Sequence, residues 1–157
     1  MLAGLKLKQE VPRQVVGPLR VSDVARRGNG RLWFADPNFS FNADRVVAIL
    51  EGIARRDLSV EMWIETRADM LTPDLINLLK RTGVHTVALG LESAVPHVLR
   101  RTGKAIQPDA IRAAATTALG AGLDVELFSQ YGLPGESRDD AMETLRFVQS
   151  CGVAVRG

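Results

Sequence analysis

The sequence has 157 residues, 46% hydrophobic and 24% charged, with a formal net charge of +2; this composition excludes disorder, collagen and coiled coil and suits one globular domain. Its single cysteine, Cys151, excludes a disulfide framework and any zinc or iron–sulfur site built from this chain's thiolates alone. The basic pairs Arg26–Arg27, Arg55–Arg56 and Arg100–Arg101 lack interleaved aromatics and read as solvated helix ends rather than a nucleic-acid surface, and without a long apolar run or signal-peptide core the expected location is cytoplasmic, with no membrane partner.

Residues 1–30 read as a weakly patterned N-terminal arm: residues 6–17 as a short strand or extended segment, and residues 21–27 as a short helix ended by Gly28-Asn29-Gly30. From residue 31 the chain alternates short apolar runs with longer stretches of helical period, the signature of βαβ units around a parallel sheet. The first run, 31–36, is followed by a turn at Pro37-Asn38 and a helix from about Asn42 with Val46, Leu50 and Ile53 on one face. The second, 59–66, leads to a helix that Thr72 caps and Pro73 opens, carrying Leu75, Leu78 and Leu79 and stopping at Gly83. The third, 85–91, precedes an irregular insert and a helix from Pro108 through Ile111, Ala114, Ala115 and Ala118 to Gly120 and Gly122. The fourth, 124–130, precedes a helix starting at Ser137, with Asp140 as its capping-box partner and Leu145 and Val148 packing inward. Val153-Ala154-Val155 reads as the opening of a further strand. The expected fold class is α/β, a partial, incomplete TIM-like (β/α) barrel with parallel strands over residues 31–157.

Strands covered on both faces should be near-continuous apolar runs, and these are not. Period-two alternation puts Val60, Met62 and Ile64 on one face of the second strand and Glu61, Trp63, Glu65 and Arg67 on the other. In the third, Val87, Leu89 and Leu91 oppose Thr86, Ala88, Gly90 and Glu92; in the fourth, Val125 and Leu127 oppose Glu126, Phe128 and Gln130. One face suits helix packing, while the other carries carboxylates, an arginine and small residues, the layout of a half-barrel with a ligand-lined mouth at its C-terminal strand ends. The plain alternative for any one of these residues is a buried ion pair without a chemical role. Gly90 would let a ligand approach closely, Glu92 is an acceptor suited to a pair of sugar hydroxyls, and Gly132-Leu133-Pro134-Gly135-Glu136-Ser137 is a rigid turn into a capped helix. Asp36 is expected to organise the loop after its strand, His85 to sit at a helix-facing strand position, and Cys151 to act as a small apolar filler.

Phe34-Ala35-Asp36-Pro37-Asn38-Phe39, Trp63 with Arg67 and Asp69-Met70-Leu71-Thr72, Leu78-Leu79-Lys80 through Gly83, Ala88-Leu89-Gly90-Leu91-Glu92-Ser93, Val98-Leu99 with Lys104, and Gly120-Ala121-Gly122-Leu123 through Gly132-Leu133-Pro134-Gly135-Glu136-Ser137 follow one another in an order that resembles the radical S-adenosylmethionine (radical SAM) superfamily. The likeness spans about residues 31–152 and is nearest to the branch that often carries an upstream cobalamin-binding domain. It implies a partial (β/α)6 barrel with S-adenosylmethionine across the C-terminal strand ends. In such families a [4Fe–4S] cluster, held by a CxxxCxxC loop after the first strand, reductively cleaves S-adenosylmethionine to a radical that takes hydrogen from substrate. By the same likeness, Glu92 would contact the ribose hydroxyls, and Glu65 or Arg67 would line the amino-acid end or the substrate space; the strand alternation itself leads Glu65, Arg67, Glu92 and Glu126 to be expected to converge around one bound ligand. Lys104 would meet the methionine carboxylate, while Gln130 and the turn from Gly132 to Pro134 would border the adenine.

The departure from the family is the absence of any CxxxCxxC. The reading that follows is a portion of a radical SAM enzyme core, shortened at both ends, that binds S-adenosylmethionine but is inactive by itself; the cluster and cobalamin, if used, belong to the whole protein, and the substrate is unknown. Two alternatives stand beside it: a non-catalytic paralogue that binds S-adenosylmethionine or scaffolds a partner, and an unrelated half-barrel enzyme for a small anionic substrate. An open half-barrel leaves unpaired strand edges, so self-association is expected.

Overall fold

Pairing of the apolar runs sets the architecture. In the computed structural model, which describes residues 5–6, 30–104 and 106–153, β1 (Leu5–Lys6), β2 (Arg31–Phe34), β3 (Glu61–Thr66), β4 (Val84–Glu92) and β5 (Asp124–Ser129) form one sheet in the order β1-β2-β3-β4-β5. β2 to β5 run parallel and β1 lies antiparallel to β2. Consecutive parallel strands need crossovers. These carry α1 (Ala43–Ala54), α2 (Pro73–Arg81), then α3 (Pro96–Arg101) with α4 (Pro108–Gly120), and after β5 comes α5 (Arg138–Ser150). This is the α/β, partial-barrel fold expected from the sequence. The remainder of the N-terminal arm, with the short helix expected at residues 21–27, and residues 154–155 of the expected further strand lie outside the described residues.

The helix boundaries follow local chemistry. Asn42 Oδ1 accepts from Arg45 N at 2.9 Å, Thr72 Oγ1 from Leu75 N at 3.2 Å, and Ser137 with Asp140 forms a complete capping box. The core lies between one sheet face and the helices: Leu32, Ile64, Val87 and Leu89 meet Leu50 and Ile53 of α1, Ile76 and Leu79 of α2, and Ile111 and Ala115 of α4. In α2, Ile76 and Leu79 are buried while Leu75 and Leu78 are partly covered; in α5 the buried positions are Thr144 and Val148, with Leu145 only half-buried.

Two irregularities break the period-two pattern. Met62 pairs with Val84 and Trp63 with Thr86, so His85 has no partner in β3. This bulge turns His85 to solvent, 3.2 Å from Asp124 Oδ2, and corrects the helix-facing position expected for it. Gly90 pairs with Phe128 and Glu92 with Ser129, so Leu91 is skipped in the same way. The second bulge falls at the strand end that carries Glu92.

Candidate functional site

The sheet face away from the helices is built from the alternate residues of each strand. Register places Trp33, Trp63 and Thr86 in one row, and Glu65, Ala88 and Glu126 in the next. The Trp33 and Trp63 rings meet edge-on with centroids 5.5 Å apart, and Trp63 and Phe128 are tilted with centroids 5.9 Å apart. The band is open: Trp33 is 40% and Phe128 41% exposed. Trp63 Nε1 donates to Glu126 Oε2 at 3.0 Å across the intervening strand, where Ala88 presents only a methyl group. Glu65 shares this face, and loss of water around it pushes its carboxyl above the usual glutamate range.

At the C-terminal end of β4 the chain bends sharply. Glu92 has φ of 63°, and Ser93 N donates to Leu91 O at 2.9 Å across it, the i to i+2 bond of a strained, rare γ-turn. Its carboxylate folds back so that Oε1 lies 2.8 Å from Lys104 Nζ, which also donates to Gly90 O at 2.7 Å. Lys104 is returned to this point by α3 and by its own N–H, which donates to Leu99 O at 3.1 Å. A Cβ on residue 90 would stand 2.9 Å from both Glu92 Oε1 and Lys104 Nζ. The missing side chain at Gly90 thus accommodates the chain's own ion pair. Across the mouth, Gln130 N donates to Glu92 O at 2.8 Å.

The turn after β5 forms the facing rim. Gly132 N and Leu133 N both donate to Glu136 Oε2, the latter at 3.2 Å, so the turn encloses its own carboxylate. Gly135 has φ of 75°, and a Cβ there would run into the Arg101 guanidinium. The Arg101 guanidinium therefore lies against the backbone of this turn and ties it to α3. Pro134 and the Gln130 side chain are exposed along it. The opposite corner is held by Asp36, whose Oδ2 is 2.7 Å from Arg45 Nη2, and by Asn38, whose Oδ1 accepts from Thr66 Oγ1 at 3.2 Å.

Of the carboxylates and arginine expected to converge, Glu65 and Glu126 share the open face and Glu92 turns in above them beside Lys104. Arg67 does not join them: its guanidinium makes two bonds to Asp69, at 2.9 and 2.7 Å, with both side chains exposed. A partner two residues away in the following turn competes better than a carboxylate across the sheet, and the hydrogen bond from Arg67 holds the Asp69 carboxyl below its ordinary range. Ser93 and Thr144, both fully buried, were not singled out by the sequence. The available signal was a threonine four residues before Val148 on an inward helical face, where a polar group needs a partner.

The sequence pattern of the family described as the Radical SAM superfamily matches residues 7–148. The chain belongs to the radical SAM superfamily. It is 29% identical over 120 residues to an uncharacterized methyltransferase, PH0819, of Pyrococcus horikoshii, covering 76% of this chain and 26% of that protein. It is 32% identical over 94 residues to the heme chaperone HemW of Mycobacterium tuberculosis, covering 59% of this chain and 24% of the relative. The chain thus spans about a quarter of the length of these relatives. Among solved structures it is similar to the radical S-adenosylmethionine methyltransferase TsrM from Kitasatospora setae, determined with cobalamin and a [4Fe-4S] cluster bound, with a TM-score of 0.77 at 16% identity over 86% of this chain and 28% of that one. It is also similar to the radical SAM enzyme HemN of Escherichia coli, with a TM-score of 0.72 at 17% identity over 87% of this chain and 33% of that one. The cobalamin-dependent radical enzyme OxsB follows with a TM-score of 0.66 at 21% identity, over 83% of this chain and 21% of that one. At these identities the structures establish the shared fold, including that of the cobalamin-dependent branch.

The donor set does not fit an iron–sulfur cluster. A site of this kind needs several thiolates, whereas the sequence has only Cys151, buried at the end of α5 with its thiol pushed up by burial. The polar groups at the mouth do fit the features of S-adenosylmethionine. Glu92 Oε2, with no hydrogen-bond donor among the described residues, is an acceptor for hydroxyls; Lys104 is an ammonium with three donors, two of which are engaged by Glu92 and Gly90; and Phe128 and Tyr131 offer exposed rings nearby.

Proposed function

We propose that this chain forms the S-adenosylmethionine-binding part of a radical SAM barrel. The observation that carries the reading is the Glu92–Lys104 pair seated over Gly90 at the C-terminal end of β4, in a chain of this family. In the bound state Glu92 Oε2 accepts from the ribose hydroxyls and the remaining Lys104 donor meets the methionine carboxylate. Gln130 and the turn through Gly132 and Pro134 border the adenine. Glu65 and Glu126, on the open face, line the substrate space, while Arg67 stays with Asp69 at its rim. The whole protein's activity is then that of a radical SAM enzyme, in which a [4Fe–4S] cluster supplies the electron. The residues of this chain do not hold that cluster, so by itself the chain binds S-adenosylmethionine without cleaving it. The same single cysteine equally suits a module that binds S-adenosylmethionine and carries out no redox chemistry.

Calorimetric titration with S-adenosylmethionine tests the binding reading directly. Wild-type chain should give a saturable isotherm, and Glu92→Gln and Lys104→Met should each weaken it roughly tenfold or more, the loss of a charge-assisted hydrogen bond. Arg67→Met should change affinity less than threefold, by the absence of any contact to lose. A flat wild-type titration would refute the proposal.

A further inference from the structure

The strained turn at Glu92 has to be held by something, because a non-glycine residue at φ of 63° persists only where its surroundings over-determine it. The holding group comes from another element. Thr144 of α5, fully buried, places Oγ1 3.2 Å from Ser93 Oγ and accepts from Ala94 N at 3.1 Å, while its own hydroxyl proton goes to Asp140 O at 3.1 Å. Ser93 Oγ in turn accepts from Val95 N at 3.1 Å. A threonine hydroxyl has one proton and two lone pairs. With Asp140 O taking the proton, and Ala94 N and Ser93 Oγ supplying the two donors, its capacity is filled. The three residues that follow Glu92 are thus fixed to α5 through one oxygen.

We infer that Thr144 is a positioning residue for Glu92, setting the direction in which its carboxylate faces Lys104 and the mouth of the sheet. The inference rests on the reading that Glu92 and Lys104 meet S-adenosylmethionine. Thr144 touches no ligand; it acts through the Ser93-Ala94-Val95 turn. It also joins the two rims, because it belongs to the helix that follows the Gly132–Gly135 turn and that Ser137 and Asp140 cap; its own proton stays within that helix, on Asp140 O.

The test uses the full chain in four forms: wild type, Thr144→Val, Thr144→Ser and Ser93→Ala. Amide hydrogen exchange at Ala94 and Val95 is read by NMR, and S-adenosylmethionine affinity by calorimetry. Thr144→Val keeps the shape of the side chain but leaves Ala94 N without an acceptor. It should speed Ala94 exchange about tenfold relative to core amides of β4 and weaken S-adenosylmethionine binding about tenfold. Thr144→Ser, which restores the oxygen, should return both to within about threefold of wild type. Ser93→Ala reports on the same turn without altering α5 and should show the defect in partial form. Val148→Ala controls for loosening of the helix: it removes buried apolar contact from α5 and should leave both readouts within about twofold once global unfolding is subtracted. Unchanged Ala94 exchange in Thr144→Val, or a Thr144→Ser variant as defective as Thr144→Val, would overturn the inference. If wild-type chain binds no S-adenosylmethionine, the ligand reading fails, while the exchange data alone still support or overturn the anchoring of the turn.

Discussion

Glu92 combines two features that oppose one another in free energy. Its carboxylate reaches Lys104 only because the backbone adopts φ of 63°. For an L-residue that region costs about 1–2 kcal/mol, whereas glycine adopts it freely. Replacing Glu92 by alanine and by glycine removes the ion pair in both cases, so the difference between them isolates the backbone cost. Glu92→Gly is expected to be more stable than Glu92→Ala by about 1 kcal/mol, the reverse of the order at an ordinary strand position. Paired thermal melts should show this as a difference of roughly 2–4 °C at this chain length. Alanine equal to or more stable than glycine would mean that the turn carries no strain in solution. Both variants should lose S-adenosylmethionine affinity to a similar degree, since neither keeps the acceptor.

At the scale of the element, α5 is the part of the structure most clearly announced by sequence and the one whose role was least visible there. Its capping box could be read from Ser137 and Asp140, and its inward face from Val148. That Thr144 reaches across to Ser93 could not be read, because a hydroxyl's partner depends on which loop the fold brings beside it. The strands show the same division. Alternation located the apolar faces of β3 to β5 and the carboxylates opposite them, yet the bulges at His85 and Leu91 are settled by pairing with neighbouring strands and leave no mark in a period-two pattern. Arg67 was placed on the open face by that same alternation, which takes no account of Asp69 two residues on. The capping box also makes α5 sensitive to acid. Bonds from the Ser137 side chain and backbone hold the Asp140 carboxyl below its ordinary range, with His97 Nε2 3.4 Å away adding in the same direction. A carboxyl whose folded value lies below its unfolded one contributes stability that is complete above the unfolded value and is lost as pH falls through the folded one. The stability gap between wild type and Asp140→Asn should therefore be steady above about pH 5 and narrow progressively as pH falls below the ordinary aspartate value. Urea midpoints measured across that range would show it; a gap independent of pH would remove the ionised cap as its source.

For the molecule as a whole, the consequential feature is a sheet that, among the described residues, is covered by helices on one face only. The helices shield Leu32, Ile64, Val87 and Leu89, while the opposite face shows the band of Trp33, Trp63 and Phe128. Among the described residues β5 hydrogen-bonds to β4 alone, so its outer edge presents backbone groups beside an exposed Phe128. An open edge next to an apolar surface is a template for pairing with another chain. The 17.1 kDa chain on its own is accordingly expected to self-associate, with an apparent mass by light scattering that rises with concentration. Phe128→Lys places a charge on that edge strand at a partly exposed position, at the cost of the ring contact with Trp63, about 0.5–1.5 kcal/mol of stability. It should shift the population toward the monomer. The same variant separates edge pairing from loss of fold, since a chain that associates because it is unfolded would gain nothing from one added lysine. A wild-type chain that stays monomeric across the concentration series would show that the open face and edge are compatible with solvent, and that the half-barrel is self-sufficient as a soluble unit.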